Sequence, residues 1–452
     1  MSLGAGFSGG PSRKGDKGLN YSLVQTLKMA WADDELRARL RFLLLVFGLY
    51  VLGVHVPVPI PGISTQALEK LLEGNQFFNL MNTVGGGAFK RISIMALGLG
   101  PYIIASIIIQ VMSLGNPKWK EEMKEGGEYA RKQQNKRTRI LTLALCAFQG
   151  FGLLQLMGPS VTGALQLQHR VGLVLFWTAG AMFLLWLGEQ ASEKGIGNGV
   201  SILIFTGIII SFPGLAMQVG TAVRDGVVQW WQVLLVLIMF YATTWGIVFF
   251  TVAQRRIPIQ HMRRNFGTQS MGGGTSYLPI SVNMAGVIPI IFAITLIYMP
   301  AQFQAAFPPD SQAHAILQSI SGFFSPDFTR WQGWIGALFY AGMIFMFTYL
   351  WTAMQYNVED IADNLKRGGS YIQGIRPGKK TKDFLDSVIS RVTFIGAVFL
   401  ALAAMTQFVM PLIAPISSLG LIGGTSLLIL VSVALETMRQ IEANLITKQY
   451  EG

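Results

Sequence analysis

Ten long apolar stretches dominate this chain and decide what it can fold into. The hydrocarbon core of a bilayer is about 30 Å thick, so a helix that crosses it needs about 20 apolar residues. With 51% hydrophobic residues, 13% charged residues and a mean hydropathy of +0.46, the chain of 452 residues is typical of a polytopic membrane protein. Each stretch predicts one spanning helix. The stretches lie at residues 42–60, 92–114, 140–158, 171–188, 200–218, 228–253, 284–303, 333–355, 390–412 and 418–436.

The basic residues predict how these spans are oriented. Lysine and arginine collect in the cytoplasmic loops of membrane proteins. When the N-terminal leader and every second loop are placed on one side, that side receives most of the 35 lysines and arginines. Both termini are therefore predicted in the cytoplasm, and the net charge of +12 reflects orientation rather than nucleic-acid binding. The opposite side receives only Lys70, Lys90, Arg91, Arg170, Arg224 and Arg330.

One apolar segment is too short and too broken to cross the membrane. Residues 76–84 read QFFNLMNTV, residues 85–87 are three glycines, and Lys90 and Arg91 precede the next span at 92–114. Irregular backbone at membrane depth is tolerated only where it is buried in protein or lines a cavity. The chain is therefore predicted to enclose a pathway.

The residue types that catalysis, metal binding and ion coupling require are scarce. The four histidines are not paired at metal spacing, Cys146 lies in an apolar run as a packed thiol would, and residues 378–381 (GKKT) fail the spacing of a phosphate loop. Ion-coupled transporters bury ionisable residues within their spans, and these spans are nearly free of them. An enzyme acting in the bilayer is disfavoured. An ion-coupled small-solute transporter built from inverted repeats stays the alternative to a passive channel.

Ten spans with both termini on one side permit two halves of five spans. Because five is odd, the second half is inverted, and inverted repeats commonly form a pathway at their interface. The predicted order is a cytoplasmic basic leader with an amphipathic segment at 1–41, an N-terminal half at 42–218, a hinge loop at 219–227 and a C-terminal half at 228–452.

Two cytoplasmic loops, residues 254–283 and 356–389, are longer than a connection between packed spans requires. Loops of this length are usually functional. Both mix basic, aromatic and turn residues, which predicts a docking surface, whereas the alternative is a solvated basic loop that only sets orientation.

Several short motifs, in order and spacing, resemble those of the SecY family, the pore subunits of the bacterial protein-conducting translocon. The resemblance covers residue 20 to the C-terminus. It implies an all-α membrane protein with ten transmembrane helices in two inverted five-helix halves around a central hourglass pore. The motifs are ALGLGPYIIASIIIQ at 96–110, GIGNGVS at 195–201, LPISVNMAGVIP at 278–289, GIRPG at 374–378 and GGTS at 423–426.

The resemblance also implies how the pore is sealed. A collar of aliphatic side chains can dewet and block ions, while it offers no fixed hydrogen bonds to a passing peptide. The implied pore ring is Leu99, Ile103, Ile204, Ile208, Ile291 and Ile429. A plug at about residues 77–91 closes the pore from outside, with Phe77, Phe78, Asn79, Leu80, Met81, Gly85, Gly86, Gly87, Lys90 and Arg91 as its residues.

A lateral gate and a docking surface complete what the resemblance implies. The gate lies between spans two and three on one side and seven and eight on the other, where Ser106, Thr295 and Thr348 are small hydroxyl residues. Opening there would give an apolar signal sequence access to lipid. The residues expected to dock the motor ATPase SecA and the ribosome are Arg255, Arg256, Arg263, Arg264, Arg376, Lys379 and Lys380.

The partners implied by the resemblance are the SecE and SecG subunits, SecA, the ribosome through its RNA, signal peptides and nascent chains, membrane lipids, YidC and SecDF. The expected location is the bacterial cytoplasmic membrane, crossed many times. The protein is expected to be no enzyme and to hold no cofactor or metal.

Overall fold

The computed structural model describes residues 23–451 apart from a set of short gaps and one longer segment, and it is predominantly helical. Each of the ten predicted spans overlaps one helix. The residues outside the description are 1–22, 60–81, 84, 117–118, 120–121, 123–126, 163–165, 262–263, 267–268, 272–274, 305–306, 308–310, 325, 327, 329–330, 415, 417–418, 420–422 and 452.

The described helices are, in chain order, α1 (Leu23–Ala32), α2 (Asp34–His55), α3 (Gly100–Gly115), α4 (Gly127–Thr162), α5 (Leu167–Lys194), α6 (Gly199–Arg224), α7 (Trp230–Val252), α8 (Ile288–Gln304), α9 (Gln312–Phe324), α10 (Trp331–Gln355), α11 (Val358–Arg367), α12 (Lys379–Ile413) and α13 (Gly424–Glu451). Six are long and apolar enough to cross a membrane by length and composition, and the apolar parts of α3 and α8 are shorter. The predicted spans correspond to α2, α3, α4, α5, α6, α7, α8, α10, α12 and α13.

A small β-sheet, which the sequence does not predict, joins the two long loops at 254–283 and 356–389. Its strands follow the order β4-β1-β5, with β1 antiparallel to both neighbours, and a separate hairpin pairs β2 with β3. The strands are β1 (Gln254–His261), β2 (Arg264–Phe266), β3 (Gln269–Met271), β4 (Thr275–Ser281) and β5 (Ser370–Ile372). The loops at 254–283 and 356–389 therefore form one platform.

The second predicted span begins eight residues later than expected. Residues 85–99 form a series of turns, with positive φ at Ile92 (49°) and Gly98 (56°), and α3 starts at Gly100. Pro101 fixes this start because its ring suits the first turn of a helix and supplies no N–H for an earlier turn. The first predicted span also ends earlier, at His55.

Close glycine contacts set the turn between α5 and α6. A Cβ on Gly199 would lie 2.0 Å from the carbonyl oxygen of Gly188, so only glycine allows this approach. The Asn198 side chain caps α6 by accepting from the N–H groups of Val200 and Ser201 at 3.1 and 3.3 Å. The start of α6 is thus fixed against α5, which places the following turns of α6 at the centre of the bundle.

The link between α6 and α7 is short, since α6 continues to Arg224 and α7 begins at Trp230. It falls where the sequence analysis places the hinge loop at 219–227, although the first residues of that loop are helical. The division of the chain into two halves stays a prediction.

Candidate functional site

A cavity at the centre of the bundle brings the predicted ring residues together. Residues from α3, α6, α8 and α13 line a space of about 100 Å³, which has room for a few water molecules. Five of the six predicted ring residues line it, namely Leu99, Ile103, Ile204, Ile291 and Ile429. The structure therefore brings five residues of the predicted ring to one cavity.

The ring is packed rather than open. Leu99, Ile204 and Ile429 are 5%, 5% and 7% exposed, and Ile103 and Ile291 are partly buried against the same hydrophobic cluster. Ile208, the sixth predicted ring residue, is fully buried in that cluster one turn further along α6. Leu99 is also the residue that precedes the first turn of α3, so the start of this helix and the ring coincide.

The glycines of the predicted plug lie directly against the ring. Gly85 lines the same cavity, and a Cβ on Gly98 would lie 3.9 Å from the Cα of Gly85. Gly86 has a φ of 67°, and a Cβ there would lie 3.5 Å from the Cα of Gly207 in α6. The Ser211 hydroxyl of α6 donates to the carbonyl oxygen of Thr83 at 2.9 Å. The described glycine turn of the broken segment therefore lies beside the cavity and packs against α6.

The two charges of the broken segment stay outside the core. Lys90 and Arg91 are exposed, the Lys90 N–H donates to Asn82 Oδ1 at 2.9 Å, and Arg91 Nη1 donates to the Gly86 carbonyl oxygen at 3.3 Å. These bonds tie the charged end of the segment to its glycine turn. The remaining predicted plug residues, Phe77, Phe78, Asn79, Leu80 and Met81, lie outside the described residues.

Residues 92–99, which follow the predicted plug, are held by backbone contacts with the segment after α2 and with α5. The Ile94 N–H donates to the Val56 carbonyl oxygen at 3.1 Å, and the Val58 N–H donates to the Ile92 carbonyl oxygen at 3.0 Å. On the other side, a Cβ on Gly180 of α5 would lie 2.0 Å from the Ile94 carbonyl oxygen. We call this segment, residues 92–99, the plug seat.

Polar side chains interrupt the apolar wall of the cavity, and the sequence analysis did not identify them. They come from α4, α8 and α13, so no single stretch of sequence shows them as a group. The GGTS motif at 423–426 was recognised only as the start of the tenth span. The polar lining residues not identified from the sequence are Gln149, Tyr298, Thr425 and Ser426.

Helix α8 meets α3 and α4 along the seam where the lateral gate is expected. The rings of Phe148 in α4 and Phe303 in α8 are 5.2 Å apart and tilted by 51°. Thr295 lines the cavity beside this seam. The hydroxyl of Ser106 instead accepts from Gln110 Nε2 at 3.0 Å, and Thr348 donates to Ile344 within its own helix at 2.6 Å. Of the three predicted gate hydroxyls, Thr295 is the one that borders the pore.

The platform has its own hydrophobic core. Ile257 and Ile259 of β1 and Ile372 of β5 are buried against Leu385 and Ile389, which lie in the N-terminal part of α12. Because successive side chains of a strand point to opposite faces, the side chains that alternate with these isoleucines in β1 lie on the opposite face of the sheet. The ninth span and the sheet are thus one packed unit, which fixes the platform relative to the pore.

The described docking residues are exposed on this platform. Arg255 and Arg256 lie on β1, and Arg376 lies in the turn after β5, where the Thr381 hydroxyl donates to its carbonyl oxygen at 3.0 Å. Lys379 and Lys380 occupy the first turn of α12, which holds no acidic residue. Positive charge is unfavourable at a helix N-terminus, so these lysines do not stabilise α12.

The side chains of two predicted docking arginines lie outside the described part of the structure. Arg263 lies outside the described residues, and only the backbone of Arg264 is described, in β2. Among the described residues, histidine, cysteine, aspartate and glutamate form no cluster of three that could hold a metal ion.

Comparisons with known proteins agree with this arrangement. The SecY family profile matches residues 93–438. Protein translocase subunit SecY of Staphylococcus aureus (strain NCTC 8325 / PS 47) is 36% identical over 444 residues, which cover 95% of this chain and 99% of that protein.

Solved structures share the fold at low sequence identity. A structure described as that of a protein conducting channel superposes with a TM-score of 0.65 at 18% identity, and the match covers 91% of this chain and 93% of that one. Sec61 in the canine ribosome-channel complex from the endoplasmic reticulum gives a TM-score of 0.61 at 16% identity, with the same two coverages. The helices are thus arranged in a known fold, and the chain belongs to the SecY family.

Proposed function

We propose that this protein-conducting channel lets unfolded secretory polypeptides pass through the ring and releases apolar segments sideways into the cytoplasmic membrane. The channel itself is passive and is not an enzyme, so the driving force comes from a partner. The observation that carries this proposal is the cavity in which five aliphatic ring residues meet a glycine of the plug segment.

An aliphatic ring suits a substrate that has no fixed sequence. Side chains without hydrogen-bonding groups neither hold nor reject a particular peptide, and they close on one another by hydrophobic packing when the pore is empty. The ring residues contact each other in one cluster, and the space between them is too small for a polypeptide. On this proposal the ring must widen before a polypeptide can pass. A transporter for small polar solutes would instead need fixed polar ligands among the ring residues, and these are all aliphatic.

Lateral release follows from the seam between α8 and its neighbours α3 and α4. Thr295 and Tyr298 of α8 line the pore cavity, while Phe148 of the seam is 38% exposed on the outer surface of the bundle. The seam therefore separates the pore from lipid by about one layer of side chains. Opening it would let a signal peptide or a transmembrane segment move into the bilayer.

The platform is proposed to dock SecA and the ribosome. Fixed positive charge at Arg255, Arg256 and Arg376 fits the phosphates of ribosomal RNA and the acidic surface of a protein. The likeness to a channel solved in a ribosome complex supports the ribosomal partner. SecE and SecG are proposed as further subunits, and cytoplasmic termini are proposed from the charge distribution.

The proposal is tested by crosslinking from the ring. A photo-reactive amino acid at Ile103 or at Ile291 should crosslink to a secretory chain stalled during transport. The same probe at Ile238 of α7, which is 60% exposed on the outside of the bundle, should not. Crosslinks from the outer position alone would contradict a central pathway.

The docking surface is tested by charge reversal. Arg376→Glu should abolish translocation while the variant still inserts into the membrane, because it changes an exposed side chain without touching the sheet core. Lys366→Glu, which reverses the charge of another exposed residue, in α11, is the matched control and should retain most transport. Normal secretion by the Arg376 variant would remove Arg376 from the docking surface.

A further inference from the structure

We infer that two polar residues of α12, Thr406 and Gln407, position the pore ring by holding the first turn of α13. This inference rests on the proposed sealing function of the ring. Neither residue lines the cavity, so both act through their neighbours and not on the translocating chain.

The first turn of a helix has N–H groups without a partner inside the helix. In α13 one of these is satisfied by another helix, since the Gly424 N–H donates to Thr406 Oγ1 at 2.8 Å. The Thr406 hydroxyl in turn donates to the Ala403 carbonyl oxygen at 2.7 Å. Thr406, a residue of α12, therefore caps α13 and fixes where the first turn of α13 lies along α12.

The next residue forms a second link. The Thr425 hydroxyl donates to Gln407 Oε1 at 2.7 Å, and the two residues are 3% and 5% exposed. A hydrogen bond in so apolar an environment has no competing water, so breaking it leaves two buried polar groups unpaired. This bond restricts the rotation of α13 about its axis.

Tight backbone packing makes the joint stiff. Gly424 has a φ of 56°, and a Cβ there would lie 2.9 Å from both the Ala404 carbonyl oxygen and the Gln407 Cβ. Both hydrogen bonds thus lie where the backbone of α13, at Gly424, closely approaches α12.

The joint is next to the ring. Thr425 and Ser426 line the cavity, and Ile429 follows Thr425 by one helical turn on the same face of α13. A small rotation or shift at the start of α13 would therefore move Ile429 out of line with Leu99 and Ile204. On this account Thr406 and Gln407 keep the resting ring closed.

The test measures ion leak in proteoliposomes that contain the complete channel complex at rest. Thr406→Val, Gln407→Leu and Thr425→Val should each raise the leak about fivefold over the wild type, the factor that corresponds to ~1 kcal/mol in a closed-to-open equilibrium. Thr425→Ser and Thr406→Ser keep the hydroxyl and should remain as tight as the wild type. Thr406→Val and Thr425→Val, each paired with its serine variant, keep the test valid if Gln407→Leu does not fold.

Two controls separate positioning from general loosening. Thr393→Val removes another buried hydroxyl of α12 that bonds to no described residue, and it should leave the leak unchanged. Ile429→Gly opens the ring directly and should leak. A tight Ile429 variant would overturn the proposed ring seal, and this inference with it. If Ile429→Gly leaks while the Thr406, Gln407 and Thr425 variants stay tight, this inference alone is overturned. It is also overturned if Thr393→Val leaks as much as those three variants.

Discussion

The plug seat and the proposed lateral gate border the same cavity, yet they are held by different kinds of contact. Backbone hydrogen bonds join Ile94 and Ile92 to the chain after α2, and a glycine of α5 touches the backbone directly. At the proposed gate, α4 and α8 meet through side chains, among them the tilted aromatic rings of Phe148 and Phe303.

This difference indicates which wall can move. Backbone groups in contact at a glycine cannot slide past each other without a clash, so the plug seat behaves as part of the frame. An aromatic pair is held by side chains, which can separate and find new apolar partners at a cost of about 1 kcal/mol. We therefore expect the gate to open while residues 92–99 stay in place. Plug movement is then confined to the residues before Ile92.

The largest effect is expected from locking the gate. Cysteines at Phe148 and Phe303, joined by a short crosslinker in a Cys146→Ala background, should abolish translocation, because the seam can no longer separate. Reduction of a cleavable crosslinker should restore transport. The measurement is ATP-driven import of a secretory protein into membrane vesicles.

The matched control uses either cysteine alone, which the reagent labels without bridging the helices. Single-cysteine channels should keep their activity. A bridged channel that still transports would show that the gate does not need to open, and the contrast between the two walls would fail.

A smaller but still large effect is expected at the plug seat. Gly180→Ala places a methyl group 2.0 Å from the Ile94 carbonyl oxygen, so the backbone must shift at a cost of about 3 kcal/mol. Gly172→Ala lies in the same helix and meets nothing within 4 Å, so it should change stability little. Thermal unfolding of the two purified variants measures the difference, and equal stability would contradict a rigid seat.

The smallest effect is expected from one gate hydroxyl. Thr295→Val keeps the shape of the side chain and removes a polar group from the wall of the pore, which should shift gate closure by about 1 kcal/mol. We expect a relaxed requirement for an apolar signal sequence in a translocation assay. Thr244→Val, whose hydroxyl bonds only within α7, is the control. Unchanged signal selectivity in the Thr295 variant would remove this residue from gate control.

The sequence predicts the ten helices well, because runs of apolar residues must be helical in lipid. It misplaces the start of α3, since residues 92–99 are as apolar as the helix that follows and hydropathy does not distinguish a buried turn from a buried helix. It misses β1 because that strand contains Arg255, Arg256 and Pro258, and proline in a short run argues against a strand.

The site is predictable only in part. Five ring residues follow from the resemblance because the motifs fix their positions along four helices. Gln149, Tyr298 and Thr425 come together only when α4, α8 and α13 pack around the cavity. The close approach of Gly180 to Ile94 likewise joins two distant parts of the chain, and a glycine in an apolar helix gives no sign of such a contact.

The ring is tested most directly by the ion conductance of the resting channel in a planar bilayer. Ile103, Ile204 and Ile291 are replaced together by asparagine in one variant and by leucine in another. If aliphatic character seals the pore, the asparagine channel conducts ions at rest and the leucine channel stays closed like the wild type. An asparagine channel that is as tight as the wild type would contradict the account.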